Sequence, residues 1–416
     1  MKPVSIWAAA ALVAGLGFGL LQCSGYGTGP SPQSDDSVVF KTAFSSTSPE
    51  VLAFLAKAQG GAKAKLAYID KTGPSNQLTY IDFSEGTTPV PRVVAAAKGA
   101  AVPVISPDGR WAVYASGSGV EAGSPVGKRS SVYFIELRED AQPLLLAKDS
   151  ACEPRFKQNS SKLTVIYTTL CPDLAWEGFG MTMETDVDVS GAAPTKGEVR
   201  TLFPHGSYTG GLSWDGKFLC GGGEHVAMID LTKNKTRPDT LSLGGIQSCN
   251  ASISSSREFT NTMLYLNTSG QTPRLNGNQP WGEWQAILIS NSDKKLVKGY
   301  MNPDGDPRFP LETNPASLSG AKASKWHHSE WSNHPYFAAA TLNVNRFFKV
   351  GTEFKNTAFQ ERLYVINLRD SSYLEVLRPD SLVYKGKSIG GFYWPYLWVE
   401  IPSGFQESKT WLVPST

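Results

Sequence analysis

The stretch Ile105-Ser-Pro-Asp-Gly-Arg-Trp-Ala-Val-Tyr-Ala-Ser116 decides the fold of this chain. It contains the end of a short apolar strand, a tight turn at residues 107–109 and a second strand of alternating residues. Proline presets the backbone angle φ for such a turn, and glycine accepts the positive φ that follows. The stretch therefore predicts two short strands joined by a tight turn.

The same outline recurs along the chain. Residues 212–221 form a close copy, and 155–167, 253–266, 330–340 and 392–400 form weaker ones. A third strand type follows the turns, and a fourth, outer strand follows most of the third strands. Four short strands per unit, repeated six times, predict an all-β fold: a six-bladed β-propeller of four-stranded blades over residues 62–402.

The two ends of the repeat region complement each other. The last copy, at 392–400, is not followed by outer strands. Segments 66–70, 78–83 and 90–97 have the outer-strand pattern but lack an innermost strand. We therefore expect the N- and C-terminal segments to complete one blade together, which would remove open sheet edges. The long interval between Ser256 and Asn333 leaves a seventh, degenerate blade open.

Four smaller segments flank the predicted propeller. Pro49 and Glu50 suit a helix N-terminus, and a lysine followed by a charge-free apolar stretch at 6–21 suits an export signal. The segments are a lipoprotein signal peptide at 1–22, a flexible tether at 23–47, a short capping helix at 48–61 and a C-terminal tail at 403–416.

The sequence Leu20-Leu21-Gln22-Cys23 resembles the bacterial lipobox. The resemblance implies that Cys23 is lipid-modified and anchors the chain in a membrane. Ser24 after the cysteine implies an exported outer-membrane lipoprotein that faces the periplasm or the cell surface. Gln22 departs from the small residue normal at that position, so an ordinary cleaved signal or an uncleaved anchor remains an alternative.

Four further cysteines are Cys152, Cys171, Cys220 and Cys249. An even number in an exported protein predicts two disulfides. Three pairings exist, and short loops favour the first cysteine with the second and the third with the fourth. The alternative is four buried thiols. No CxxC pair is present, so neither a zinc ribbon nor a redox motif is predicted.

Composition excludes several classes of protein. The chain has 39 Lys+Arg and 37 Asp+Glu, a net charge of +2, so it has no basic excess with which to bind nucleic acid. Its 41% hydrophobic and 11% aromatic residues exclude a disordered chain. Its 40 glycines and 27 prolines exclude a long helical protein.

The turn motifs at 106–110 (Ser-Pro-Asp-Gly-Arg) and 213–217 (Ser-Trp-Asp-Gly-Lys) resemble the WD40-like repeats of the TolB propeller family. Together with the lipobox, segments 210–213, 249–252, 328–331 and 397–400 also resemble an uncharacterised paralogous family of rumen-bacterial lipoproteins. These resemblances imply the fold and the location only. The other four turns depart from the motif, and the separate N-terminal α/β domain of TolB has no counterpart here.

The segments that lead into the innermost strands should ring one mouth of the central channel, where propeller ligands usually bind. His328 and Glu330 are two residues apart, so on a regular strand they would share a face and could act on one substrate or one metal. A metal would need a third ligand that the sequence does not place, so no metal or cofactor is predicted. The candidate ligand-binding residues are Arg155, Tyr208, Asn250, His327, His328, Glu330 and Tyr393.

We expect a non-catalytic binding or scaffold module for an envelope protein or for a cell-surface or plant polysaccharide. The alternative is a polysaccharide lyase or hydrolase, with His328 and Glu330 as acid and base and Arg155 holding a substrate carboxylate. An enzyme predicts that these residues converge on an open pocket. A scaffold predicts a channel filled by side chains, with an exposed apolar patch on one rim.

Overall fold

A computed structural model of the 416-residue chain describes most of the sequence between residues 42 and 412. The predicted signal peptide, Cys23 and the tether up to residue 41 lie outside the described residues. The described ranges are 42–72, 75–116, 130–169, 181–204, 209–221, 226–233, 239–240, 248–267, 274–275, 279–280, 287–293, 296–300, 324–350, 353–379 and 391–412.

The first half of the described chain contains one helix and twelve short strands. Their bounds are β1 (Thr42–Phe44), α1 (Ser48–Ala56), β2 (Ala64–Asp70), β3 (Gln77–Asp82), β4 (Arg92–Lys98), β5 (Ala100–Ile105), β6 (Trp111–Ser116), β7 (Ser131–Glu136), β8 (Leu144–Ala147), β9 (Ala151–Phe156), β10 (Leu163–Thr169), β11 (Thr182–Asp188) and β12 (Thr195–Phe203).

The second half of the described chain is built from strands alone. Their bounds are β13 (Thr209–Leu212), β14 (Phe218–Gly221), β15 (Ala227–Asp230), β16 (Asp239–Thr240), β17 (Ser248–Ile253), β18 (Thr262–Asn267), β19 (Arg274–Leu275), β20 (Gln279–Pro280), β21 (Ile287–Asn291), β22 (Leu296–Tyr300), β23 (Ser324–Trp331), β24 (Phe337–Val350), β25 (Glu353–Asn367), β26 (Tyr373–Pro379) and β27 (Phe392–Val399).

Apart from the hairpin β19–β20, the described strands form six antiparallel sheets, the blades, numbered here from the blade that contains β2. Blades 2, 3 and 4 use consecutive strands: β5–β8, β9–β12 and β13–β16. Blade 5 consists of β17, β18, β21 and β22, with the hairpin β19–β20 inserted, and blade 6 contains β23–β26. The innermost strand of each blade contacts those of both neighbouring blades, which closes a ring of six. The predicted all-β, six-bladed propeller is confirmed.

Blade 1 joins the two ends of the propeller. Its innermost strand, β27, comes from the C-terminal side, and its outer strands, β2–β4, come from the N-terminal side. The two parts pair in antiparallel register, with Leu66 opposite Leu397 and Ala64 opposite Val399. All four of these residues are fully buried. The predicted closure is confirmed, and burying this apolar pairing holds the ring shut.

Helix α1 lies inside the segment where the sequence predicts a helix. Thr47 caps its N-terminus, and the Glu50 carboxylate accepts a hydrogen bond from the Thr47 backbone N–H. Pro49 lies in the first turn. Val51 and Leu55 are fully buried in the apolar core that blades 1 and 6 share. Among the described residues, no helix is long and apolar enough to cross a membrane.

Both terminal segments pack on the ring. Strand β1 falls within the predicted tether, yet it pairs with β26 as a fifth strand of blade 6, and so covers backbone groups that an edge strand would expose. In the C-terminal segment, Glu407 accepts a bond from the backbone N–H of Arg257 at 2.8 Å. The Trp411 ring lies 5.0 Å from that of Tyr336.

The disulfide prediction is wrong for Cys152 and Cys220, which are buried free thiols. Cys152 lies opposite Thr168 in blade 3, and Cys220 lies between Gly211 and Met228 in blade 4. Burial raises the pKa of both thiols, which keeps them protonated and unreactive. Cys171 lies outside the described residues, and the side chain of Cys249 is not described.

Candidate functional site

Every innermost strand has a β-bulge near its N-terminal end, at the mouth of the channel. The register with the second strand shifts by one residue at each bulge. Because the bulge occurs in all six blades, its positive φ is a property of the architecture and not strain at one special site. The residues that adopt positive φ there are Val102, Glu153, Gly211, Asn250, His328 and Trp394.

The bulge decides which side chains line the middle of the channel. Three bulge residues are followed by proline, which fits where a bulge interrupts the ladder of hydrogen bonds. The residues two positions after the bulge line a common pocket in five of the six blades. These residues are Val104, Arg155, Ser252, Glu330 and Tyr396.

An ion pair crosses the channel at this level. The Arg155 Nη2 atom in blade 3 lies 2.7 Å from Glu330 Oε1 in blade 6, the opposite blade of the ring. The same Nη2 atom is 3.7 Å from Glu153 Oε2. All three side chains are buried. The guanidinium therefore serves two carboxylates inside the protein, where an unpaired charge would be costly.

Burial raises the pKa of Glu330 to about 7, and the nearby Arg155 charge opposes that rise. A hydrogen bond with Ser252 also favours the ionised form, whereas the Glu153 carboxylate disfavours it. Arg155 thus binds a carboxylate of the chain itself, and its predicted contact with a substrate carboxylate stays a prediction.

His328 and Glu330 bond different partners in the structure, and their joint action on one substrate stays a prediction. The bulge between His327 and Ser329 shifts the register of the strand by one residue. Glu330 turns to Arg155 in the middle of the channel, while His328 bonds to Tyr393 in blade 1, at 2.6 Å between Nε2 and Oη.

At the mouth, where the innermost strands begin, several predicted residues form one cluster. Tyr393 Oη is also 3.3 Å from His327 Nε2. The Lys71 ammonium lies 3.5 Å from the centre of the Tyr393 ring and 3.5 Å from Glu361 Oε1. Sequence analysis found the two histidines and the tyrosine, but it missed Lys71 and Glu361, which belong to outer strands or loops.

Asn250 also joins two blades. Its Nδ2 donates to the Ser329 carbonyl at 2.6 Å, which ties blade 5 to blade 6. Tyr208 lies outside the described residues. Sequence analysis missed Ser252 and Tyr396 as channel residues, although both occupy the same position, two after the bulge, as Arg155. Aligning the six innermost strands on that position would have found them.

The pocket around the cross-channel ion pair is small. Its space suffices for about one water molecule, much less than a sugar ring requires. Among the described residues, no three His, Cys, Asp or Glu side chains are grouped to hold a metal ion. The exposed apolar residues Val93 and Leu145 lie on the outer strands β4 and β8, away from the channel mouth.

Comparisons with known proteins identify no family. No protein-family model matches the sequence, and no curated protein does. Among solved structures, an Agrobacterium tumefaciens protein assigned as TolB is similar at 12% identity, over 81% of this chain and 98% of that chain, with a TM-score of 0.38. The β-propeller domain of Myceliophteria thermophila Cps50 (Swd1) is similar at 12% identity, over 76% and 85%, with a TM-score of 0.35. The propeller assignment rests on the strand pairings of this chain itself.

Proposed function

We propose that this chain is a non-catalytic binding module: a rigid propeller that holds an envelope protein at the mouth of its channel. The observation that carries the proposal is the Arg155–Glu330 ion pair. A 2.7 Å bond between opposite blades spans the channel with the chain's own side chains and ties the two blades together.

The other candidate residues support the same proposal. Asn250 joins blades 5 and 6, and His328 with Tyr393 joins blades 6 and 1. Polar groups used in this way hold the ring together, and the outer surface of the mouth is left for binding. The polysaccharide lyase or hydrolase would need His328 and Glu330 on one substrate, whereas here Glu330 pairs with Arg155 and His328 bonds Tyr393.

For its location, we propose an exported lipoprotein of the outer membrane, held by a lipid on Cys23. The sequence Leu20–Cys23 supports this part of the proposal. The chain enters the propeller at β1, on the outer edge of blade 6. An anchor before β1 would therefore hold the ring by that edge and leave the mouth accessible to a partner.

Site-specific photo-cross-linking in cells of a diderm bacterium tests the proposal. Asp149 is exposed at the mouth, just before β9, whereas Lys217 is exposed in the turn between β13 and β14, at the opposite end of the channel. A photo-reactive residue at Asp149 should give one discrete protein adduct, and the same residue at Lys217 should not. The adduct should weaken in Cys23→Ala, which removes the predicted site of lipid attachment.

Two outcomes would contradict the proposal. Equal adducts from both positions, or none from either, would remove the mouth as the binding surface. Turnover of an acidic or neutral oligosaccharide by the purified chain, abolished by His328→Ala, would replace the binding module with an enzyme.

A further inference from the structure

Three aromatic side chains converge at the channel mouth in a way that a regular strand would not allow. His327 and His328 are neighbours, so on a regular strand their rings would point to opposite faces. The bulge at His328, where φ is +43°, instead brings the ring centres to 4.4 Å from each other. The Tyr393 ring centre is 5.1 Å from the first ring and 4.2 Å from the second.

The ring nitrogens of both histidines approach the hydroxyl oxygen of Tyr393. The Nε2 atoms of His327 and His328 lie 3.3 Å and 2.6 Å from Tyr393 Oη. A first-row metal ion binds nitrogen and oxygen donors at about 2.0–2.2 Å, so its neighbouring donors lie about 3 Å apart. The two observed separations bracket that spacing, and small rotations of the side chains would fit the three donors around one ion.

From this juxtaposition we propose that His327, His328 and Tyr393 form a binding site for a divalent transition-metal ion, with copper(II) as the ion bound most tightly. This inference goes beyond the proposed function. Imidazole nitrogen suits copper, zinc and nickel, and affinity rises to copper(II) along the first-row series. The two imidazoles bind as neutral Nε2 donors. The tyrosine hydroxyl releases its proton to solvent as the phenolate oxygen bonds the ion.

The surroundings fit this chemistry. Lys71 places its ammonium 3.5 Å from the centre of the Tyr393 ring, and a nearby positive charge favours a phenolate. The Glu361 carboxylate lies 3.5 Å from that ammonium and partly neutralises it. Lys71 therefore repels a bound metal ion less. His327 is only half-buried, which gives an ion a route from solvent to the three donors.

The three donors come together where blades 6 and 1 meet. All six innermost strands have the bulge, but only β23 carries histidine both at the bulge and immediately before it. The residue before the bulge in the neighbouring strand β27 is Tyr393. The same architecture therefore gives three donors at this one junction of blades.

The test is a titration of the full mature chain with copper(II), followed by visible absorption and by metal analysis after dialysis. One equivalent should bind and give a phenolate-to-copper(II) charge-transfer band. Tyr393→Phe should abolish the band, and His327→Gln should weaken binding about tenfold or more. Tyr396→Phe is the matched control, because this buried tyrosine lies three residues further along β27, in the middle of the channel, and should change neither.

Circular dichroism of each variant shows that the ring is intact before its affinity is compared. No stoichiometric binding by wild type would overturn the proposal. Binding that Tyr393→Phe and His327→Gln leave unchanged would also overturn it, because the ion would then lie elsewhere. These outcomes are independent of the cross-linking result, since they need no protein partner.

Discussion

At the scale of the residue, side-chain acceptors within the motif itself hold the turn at Ser106–Arg110. Ser106 Oγ accepts from the backbone N–H of Trp111 at 2.9 Å, and Asp108 accepts from that of Arg110 at 3.1 Å. Ser213 and Asp215 make the same bonds in blade 4. The repeated serine and aspartate thus fix the turn by side-chain acceptors, in addition to the backbone angle that glycine supplies.

Gly109→Ala should destabilise the protein more than the same change in the matching turn of blade 4. At Gly109 φ is +74°, and a new Cβ would lie 2.5 Å from the Trp398 ring, whose Nε1 donates to the Pro107 carbonyl at 2.8 Å. The strained φ costs about 1–2 kcal/mol, and overpacking adds about 1–3 kcal/mol. Urea unfolding measures the loss.

Gly216→Ala is the matched control. Its φ is also +74°, but nothing lies within 4 Å of a new Cβ, so only the backbone cost applies. The difference between the two variants isolates the contact with Trp398. Equal losses would mean that Trp398 does not hold this turn.

At the scale of the element, the sequence predicted the innermost strands but not their bulges. Turn chemistry repeated six times predicted the blades and their closure. It did not predict the bulge, which inserts His328 as an extra residue between His327 and Ser329. Cysteine spacing likewise could not predict that Cys152 and Cys220 lie on separate blades as free thiols.

The ion pair across the channel could not be predicted from local pattern, because Arg155 and Glu330 belong to opposite blades, far apart in sequence. The sequence placed both residues on segments that ring the channel mouth, but their pairing in the middle of the channel depends on the closed ring. Local periodicity thus locates a side chain on a strand. Only the assembled ring shows whether it contacts solvent, a ligand or another blade.

Arg155→Met should be strongly destabilising. It leaves Glu153 and Glu330 buried without their shared cation, which costs about 3–5 kcal/mol. Arg200→Met is a control in the same blade, since Arg200 also pairs with two carboxylates, Glu184 and Asp186, but is exposed. Denaturant unfolding should show a much smaller loss for that variant. Similar losses for both would contradict the structural role of the cross-channel pair.

At the scale of the whole molecule, His334 lies where three parts of the chain meet. It is fully buried in the inner turn of blade 6, its ring centre is 4.7 Å from that of Phe405 in the C-terminal segment, and the Gln59 backbone after α1 lies against it. Burial lowers the pKa of His334 to about 4, and the Gln59 backbone opposes that shift. The folded protein therefore keeps this histidine neutral under conditions in which the unfolded chain protonates it.

The lowered pKa of His334 makes the stability of the protein fall with falling pH. An unfolded histidine titrates near pH 6.5, so between about pH 6.5 and pH 4 the unfolded state binds a proton that the folded state excludes. The contribution of His334 to stability is complete above that window and falls by about 3 kcal/mol across it. Glutamine at this position has no such proton, so His334→Gln should lose less stability on acidification than wild type.

The measurement is the free energy of unfolding in urea at several pH values from 7.5 to 4, for wild type and for His334→Gln. Other groups titrate alike in both proteins, so they cancel in the difference between the two free energies. That difference should shrink by about 3 kcal/mol as the pH falls through the window, with an unchanged m-value. A difference that stays constant with pH would show that His334 is not held neutral, and the junction of helix, blade 6 and C-terminal segment would then be open to water.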